Sequence, residues 1–322
     1  PMLMGFGCNV PAVMAARTLE SEKDRLLTIL ITPFMSCSAK LPVYIVLAGT
    51  FFGARAGTVI FVIYLLGVVM AVASGRLFRT TLLRGADAPF VMELPPYRVP
   101  MLKSLLIHMW DRSKMFLKKM GGIILVGSIV IWALCAFPRN TPYQHDYPAA
   151  AAHVETAFTQ QAQTADPAER EMLEVEKRDR LAEIQRAARA EQTAHSYMGR
   201  IGKAIAPIFA PIGIDWRGGV SLLAGFVAKE IVVSTLGVLH AVDDEGADAL
   251  RSALAATGMT PLSALSMMIF VLLYIPCIAT VATIRRETNS WKWMVFSIGY
   301  TTAVAWIMSF VVYNGGRLLG FA

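Results

Sequence analysis

Charge is scarce in this sequence. Asp, Glu, Lys and Arg make up 16% of its 322 residues, against about 25% in soluble domains. Cysteine is scarcer, with four residues, Cys8, Cys37, Cys135 and Cys277. No two of them form a CxxC pair, which excludes a zinc ribbon and a thioredoxin-type redox motif. A disulfide framework belongs to small secreted domains and does not suit a chain with this much apolar material. The sequence contains no GxxxxGK[ST], no GxGxxG and no GxSxG, and Gly202-Lys203-Ala204 fails the phosphate-loop pattern. The chain is therefore not read as an enzyme and is expected to hydrolyse no nucleotide by itself. His108, His153, His195 and His240 show neither i, i+4 pairing nor an HExxH pattern. A basic leader is also missing. The chain opens Pro1-Met2-Leu3 and reads as a cut through a longer protein.

Apolar residues are what the sequence has in plenty: 55% are hydrophobic and the mean hydropathy is +0.52. They are also clustered. Thr58–Gly75, Met120–Phe137, Pro261–Ile284 and Trp293–Tyr313 run without a charge. A helix of about 20 such residues crosses a hydrocarbon core of about 30 Å. Four runs of this kind predict an all-α, polytopic membrane protein. The net charge of +7 then reads as basic cytoplasmic loops, with no nucleic-acid partner.

Three further apolar stretches are interrupted. Pro1–Ala16 is broken at Gly5-Phe6-Gly7-Cys8-Asn9-Val10-Pro11. Leu26–Phe52 is broken at Pro33 and again over Ser36-Cys37-Ser38-Ala39-Lys40-Leu41-Pro42. Gly218–Leu239 carries Lys229-Glu230 in its middle. Proline and glycine break helices, and irregular backbone at membrane depth survives only where protein or a water-filled cavity surrounds it. In transporters such breaks mark binding sites. The breaks also repeat weakly: Gly5–Val10 pairs with Gly225–Glu230, and Pro33–Cys37 with Leu273–Cys277. Loop charge orients the halves. The basic residues between Arg76 and Lys119 place that loop in the cytoplasm, and residues 138–200 on the other side, with a solvated helix over Asp166–Gln192. Hairpins at Pro1–Ala16 and Gly218–Leu239, entering from opposite sides, keep the acidic loop Asp243-Asp244-Glu245 outside and Arg285-Arg286 inside. The expected fold is thus two inverted repeats with broken or re-entrant helices.

Cys8, Cys37 and Cys277 all lie at breaks, and thiolates suit Fe(II), Zn or Cu(I) better than Mg or Ca. One cysteine in one span is most simply a small buried hydrophobe; three at three breaks favour a metal path. Cys135 lies in an intact span and is read as packing. Asn9 offers an amide oxygen beside Cys8, Glu230 an intramembrane carboxylate, and Met35 a thioether beside the Ser36-Cys37 break. Lys40 and Lys229 are read as structural charge pairing, since an ammonium repels a dication. Gly7, Pro11, Pro42 and Pro276 are the expected helix breaks.

These same stretches resemble the bacterial ferrous-iron transporter B (FeoB) family. The similarity runs through GFGCNVPAVMAARTLE at 5–20, DRLLTIL at 24–30 and PFMSCSAKLPVY at 33–44. It continues in GFVAKEIVVSTLG at 225–237 and LLYIPCIAT at 272–280. The resemblance implies two Gate regions in an inner-membrane, multi-pass permease for Fe(II), with Cys8, Cys37 and Cys277 on the ion path. It implies an N-terminal G-protein domain, not in this sequence, that would bring GTP and Mg. It also implies small cytoplasmic accessory proteins as partners, and leaves a homo-oligomer open. The organisation is then a first Gate repeat at 1–84, a cytoplasmic linker and transmembrane helix at 85–137, a polar periplasmic insertion at 138–200 and a second Gate repeat at 201–322. The competing readings are a nucleoside transporter-like Gate protein, which would want Asn, Gln, Glu and Phe at the breaks where this chain has cysteine, or a permease for another divalent metal. A non-transport membrane scaffold would gain nothing from the breaks.

Overall fold

The computed structural model describes residues 1–83, 101–138, 145–164, 167–239, 254 and 259–321. Arg84, Asp87, Glu93, Arg98, Asp166, His240 and the acidic loop Asp243-Asp244-Glu245 lie outside the described residues. Among those described, all regular structure is helical. The first half contains α1 (Met2–Gly5), α2 (Asn9–Ala15), α3 (Glu22–Ile31), α4 (Leu41–Phe52) and α5 (Ala56–Thr81). Next come α6 (Leu102–Ala136), α7 (Tyr147–Thr164), α8 (Pro167–His195) and α9 (Tyr197–Phe209). The second half contains α10 (Trp216–Val227), α11 (Ile231–Leu239), α12 (Pro261–Leu273), α13 (Ile278–Thr288) and α14 (Trp291–Leu318).

The order of elements repeats. Each half gives two helices around a short break (α1/α2, α10/α11), then a helix interrupted before a cysteine (α3/α4, α12/α13), then one long helix (α5, α14). The backbone repeats too. Cys8 has φ −151°, ψ 133° and Ala228 has φ −148°, ψ 130°. Cys37 has φ −73°, ψ 159° and Cys277 has φ −58°, ψ 154°. The sequence register that aligns Gly5 with Gly225 and Pro33 with Leu273 therefore aligns like conformations.

At the centre stands α12. All its residues except Pro261 and Leu265 are buried, and it packs on α4, α5 and α14. Within 261–288 the most apolar window is 78% buried, against 17% within 22–81 and 22% within 291–318. These three stretches are the described ones long and apolar enough to cross a membrane. The outer helices instead turn apolar residues outward: Phe61, Val62, Leu65, Val69 and Val72 on α5, and Val295, Ile307 and Val311 on α14, are more than half exposed. An apolar exterior around a packed interior fits a hydrocarbon surround. Small hydroxyls join the inner helices, with Ser266 donating to Ile212 O at 2.6 Å and Ser309 donating to Ser266 O at 3.1 Å.

The bundle has two distinct ends. At one, Arg17 pairs with Glu287 at 2.5 Å, and a cavity of about 280 Å³ is lined by residues including Glu22, Arg25, Leu83, Glu287 and Trp293. Along the second half of α14, Trp306 donates to Ile208 O at 2.9 Å and, near the end, Asn314 donates to Pro211 O at 3.0 Å.

Several boundaries differ from the sequence expectation. α6 begins at Leu102 and not at Met120, because no proline or glycine interrupts 102–119; its 35 residues span about 52 Å. In the polar segment the expected helix over 166–192 is α8, and a second helix that the sequence did not indicate, α7, packs on it, with Tyr147 donating to Glu191 at 2.7 Å. The domain boundary placed at residue 200 falls inside α9, whose N-cap is Ser196, accepting from Gly199 N. Pro11 and Pro42 lie in the first turns of α2 and α4, where proline is tolerated. The non-helical backbone sits just upstream, at 6–8 and 35–37, and Pro276 alone of the three occupies a break itself, at 274–277.

Candidate functional site

Cys8, Cys37 and Cys277 occupy the same local position. Each is the extended residue that immediately precedes a helical segment, starting at Asn9, Ser38 and Ile278. A fourth break, at 228–230, separates α10 from α11.

Proline chemistry explains how the breaks come together. In a helix Gly7 O would accept from the residue four ahead, but that residue is Pro11, which has no N–H. Gly7 O accepts instead from Ser38, at 3.2 Å from the backbone N and 2.9 Å from Oγ. Leu272 O meets the same problem at Pro276. It accepts from Lys40 Nζ at 2.6 Å, and the same ammonium lies 3.4 Å from Pro33 O and from Met35 O. Lys229 Nζ donates to Ile275 O at 2.8 Å and sits 3.0 Å from the centroid of the Tyr274 ring. Three ties thus join four breaks, two of them closing carbonyls that proline leaves open.

The structural charge pairing expected of Lys40 and Lys229 is not found. Both are buried, at 1% and 3% exposure, and neither has a carboxylate partner among the described residues. Carbonyl oxygens, supplied by the breaks, take that role. A buried ammonium needs hydrogen-bond partners that offset lost hydration, and here they are main-chain groups.

The remaining expected residues fall as follows. Cys37 is buried, while Cys8 and Cys277 are half-buried. Cys8 lies within electrostatic reach of Cys37, Cys277 and Glu230. Glu230 itself is exposed. Met35 is buried in the main core beside Gly5. Asn9 is 5% exposed and its Oδ1 has no partner. Cys277 Sγ lies 3.3 Å from Thr280 Oγ1. Cys135 lies within intact α6 and packs against the cluster of Met198, Val220, Ala224 and Leu239. Among the described residues no three His, Cys, Asp or Glu side chains form a metal-holding group, so the thiols do not close a structural cage.

Sequence reasoning missed three hydroxyls here. Ser36 Oγ, Tyr44 OH and Tyr274 OH are buried without a hydrogen-bond partner, a state that costs about 1–3 kcal/mol per group. Nothing in the sequence flags them, because both tyrosines sit in apolar runs and read as core.

The family follows from comparison. A family model described as "Nucleoside recognition" (Gate) matches residues 1–51 and 117–291, and one described as "Ferrous iron transport protein B C terminus" matches 60–112. The chain belongs to the FeoB family. Within it, the chain corresponds to the C-terminal transmembrane region. A Fe(2+) transport protein A/Fe(2+) transporter FeoB fusion protein from Porphyromonas gingivalis is 47% identical over 99% of this chain and 37% of its own length. The Fe(2+) transporter FeoB of Methanocaldococcus jannaschii is 38% identical over 99% of this chain and 41% of its own. That of Helicobacter pylori is 36% identical over 99% and 48%. The chain thus spans less than half the length of these FeoB relatives. No solved structure matches it.

Proposed function

We propose that this chain is the permease part of a ferrous-iron importer in a bacterial inner membrane, with Fe(II) passing the helix breaks. The observation that carries this reading is the recurrence of one motif: a thiol on extended backbone, before a helical segment, at three tied breaks. Fe(II) must shed water to pass, and sulfur ligands offset part of that loss. Open, incomplete coordination lets the ion leave again, as transport requires. Asn9 and Met35 stand beside Cys8 and Cys37 in sequence as further donors, and Glu230 lies in reach of Cys8. The repeated order of elements supports two Gate halves of inverted orientation, with α1/α2 and α10/α11 as re-entrant hairpins. The relatives' greater length supports a G-protein domain outside this sequence that would bring GTP and Mg. The Porphyromonas gingivalis fusion supports a small accessory partner of the transport protein A type.

The test is radiotracer uptake by the chain joined to its N-terminal part in proteoliposomes. Fe(II) should accumulate and a nucleoside should not; nucleoside uptake without Fe(II) uptake would overturn the assignment.

Two further results are expected. The purified chain of residues 1–322 should bind no GTP in a filter or fluorescence titration, since it holds no phosphate loop; saturable binding would reveal a nucleotide site. The basic end should face the cytoplasm, because Arg17, Arg25 and Arg285 lie at or beside the end marked by the Arg17–Glu287 pair. In intact cells, with native cysteines replaced, an impermeant thiol reagent should label Glu174→Cys on α8 and spare Lys103→Cys on α6. The reverse pattern would invert the topology.

A further inference from the structure

We propose that Lys203, Trp216 and Arg217 form a site for the phosphodiester headgroup of an anionic phospholipid, with the exposed apolar stripe of α9 lying along its acyl chains. The site needs a bilayer but not the iron path, so it stands or falls independently of the transport reading.

Helix α9 carries three faces. Met198, Gly199 and Gly202 are buried. Tyr197, Ile201, Ala204 and Ile208 are exposed and share one stripe, at i, i+4, i+7 and i+11. Arg200 and Lys203, also exposed, fall between the stripe and the buried face. A helix with apolar side chains turned outward and cations beside them suits a membrane surface. Residues 196–217 contain one carboxylate, Asp215, and its Oδ1 caps α10 by accepting from Gly218 N at 2.7 Å.

Trp216 gathers the cations. Gly202 lets α9 approach α10 so closely that a Cβ there would stand 2.3 Å from Val220 Cγ2 and 3.3 Å from Trp216 Cε3. Lys203 Nζ lies 5.9 Å from the centroid of the Trp216 ring, and Arg217 Cζ 5.4 Å. Neither cation has a carboxylate partner among the described residues, and Arg217 Nε is buried with no acceptor. Each charge gains from the ring, but two like charges on one ring repel, and a buried N–H calls for an acceptor. An anion from outside the chain meets both demands. Phosphate matches best, since a guanidinium meets it with parallel, charge-assisted hydrogen bonds.

The level in the membrane agrees. From Trp216, α10 runs 12 residues, about 18 Å, to the break at 228–230. With that break at mid-membrane, the first turn of α10 lies at headgroup level, where tryptophan, tyrosine, lysine and arginine gather. The end of α14 adds the same pairing: Tyr313 rests against Gly213, and Arg317 Cζ lies 5.9 Å from the Tyr313 ring. In the topology proposed above this is the non-cytoplasmic end, so the preference of basic residues for the cytoplasm gives no reason for Arg200, Lys203, Arg217 and Arg317. A free anion would leave the stripe of Tyr197, Ile201 and Ile208 uncovered. A second copy meeting this face through a two-fold axis would bring the same cations against it. An anionic lipid covers both the charge and the stripe.

The experiment uses the chain joined to its N-terminal part, purified in detergent, and follows its unfolding temperature during titration with dioleoylphosphatidylglycerol, dioleoylphosphatidylcholine or inorganic phosphate. Phosphatidylglycerol should raise the temperature saturably, and the other two should not. In Lys203→Gln/Arg217→Gln the half-saturating concentration should rise at least about tenfold, since each cation near a charged lipid surface contributes. Lys177→Gln/Arg178→Gln on α8 removes the same charge and should stay within about twofold of the parent. Lys203→Arg/Arg217→Lys keeps both charges and should bind nearly as the parent does. If the glutamine pair fails to fold, Lys203→Gln, at an exposed position, serves alone and should raise the concentration about threefold or more. Unchanged phosphatidylglycerol binding in the glutamine variants, or equal effects of the two lipids on the parent, overturns the site. Saturable stabilisation by inorganic phosphate overturns the lipid as occupant. A parent dimer in light scattering that the glutamine pair dissociates gives the face to a second copy and likewise overturns it.

Discussion

Serine in place of Cys37 is expected to cut Fe(II) uptake at least about tenfold, a loss of ~1.4 kcal/mol at the rate-limiting barrier, with Cys8→Ser and Cys277→Ser close behind. The substitution keeps the volume nearly constant and exchanges a soft donor for a hard one, so it probes ligand chemistry and not packing. Cys37 should show the largest effect, because it is the most buried of the three. An ion at that depth has less water to fall back on. Cys135→Ser serves as the control. That thiol lies within intact α6, on the cluster of Met198, Val220, Ala224 and Leu239, and occupies no break, so uptake should stay within about twofold, as for an ordinary packing substitution. The measurement is initial uptake at equal membrane expression. Normal uptake in all three path variants would show that the thiols are structural, and the family assignment would stand without this ion path.

Much of this arrangement could be read from the sequence because its causes are local. Glycine, proline and charge inside apolar runs mark the neighbourhoods of the breaks, although Pro11 and Pro42 fall in the helical turns just after them, and the Gly5/Gly225 and Cys37/Cys277 register aligns matching backbone conformations. What could not be read is pairing at a distance. Nothing in the neighbourhood of Lys40 says that its partner is Leu272 O, 232 positions away. The expectation of an ion pair followed from treating a buried ammonium as needing a carboxylate. The break itself supplies acceptors, and only the tertiary arrangement shows that Pro276 leaves one open opposite Lys40. Tyr44 and Tyr274 escape a sequence reading for a related reason: a tyrosine in an apolar run looks like core until its hydroxyl is found without a partner. Helix α7 escapes it because Tyr147–Thr164 is rich in alanine and poor in charge, so no charged pattern marks it.

Lys40→Met gives the second large effect, and its sign depends on two opposing terms. Methionine matches the length of the side chain and removes the cost of burying an ammonium, which is several kcal/mol for an ion without partners. It also removes the donor to three carbonyls: Leu272 O at 2.6 Å, and Pro33 O and Met35 O at 3.4 Å. Leu272 O has no backbone substitute, because the residue four ahead is Pro276. Each buried acceptor left open costs about 1–3 kcal/mol, and hydrogen bonds from a charged donor are the stronger kind. Because one short and two longer hydrogen bonds disappear together, the carbonyl term outweighs the relief, and a net loss of about 2–4 kcal/mol is expected. Lys229→Met should cost less, since that ammonium holds one carbonyl and one ring face. The two variants should therefore rank in that order in thermal unfolding followed by fluorescence-detected size exclusion in detergent. Lys40→Met should also lower Fe(II) uptake by the surviving folded protein, because the tie between the break at 35–37 and the end of α12 sets the position of Cys37 relative to Cys277. A Lys40→Met protein as stable as the parent would mean that the three carbonyls find other partners, and that the lysine does not hold the two halves of the path together.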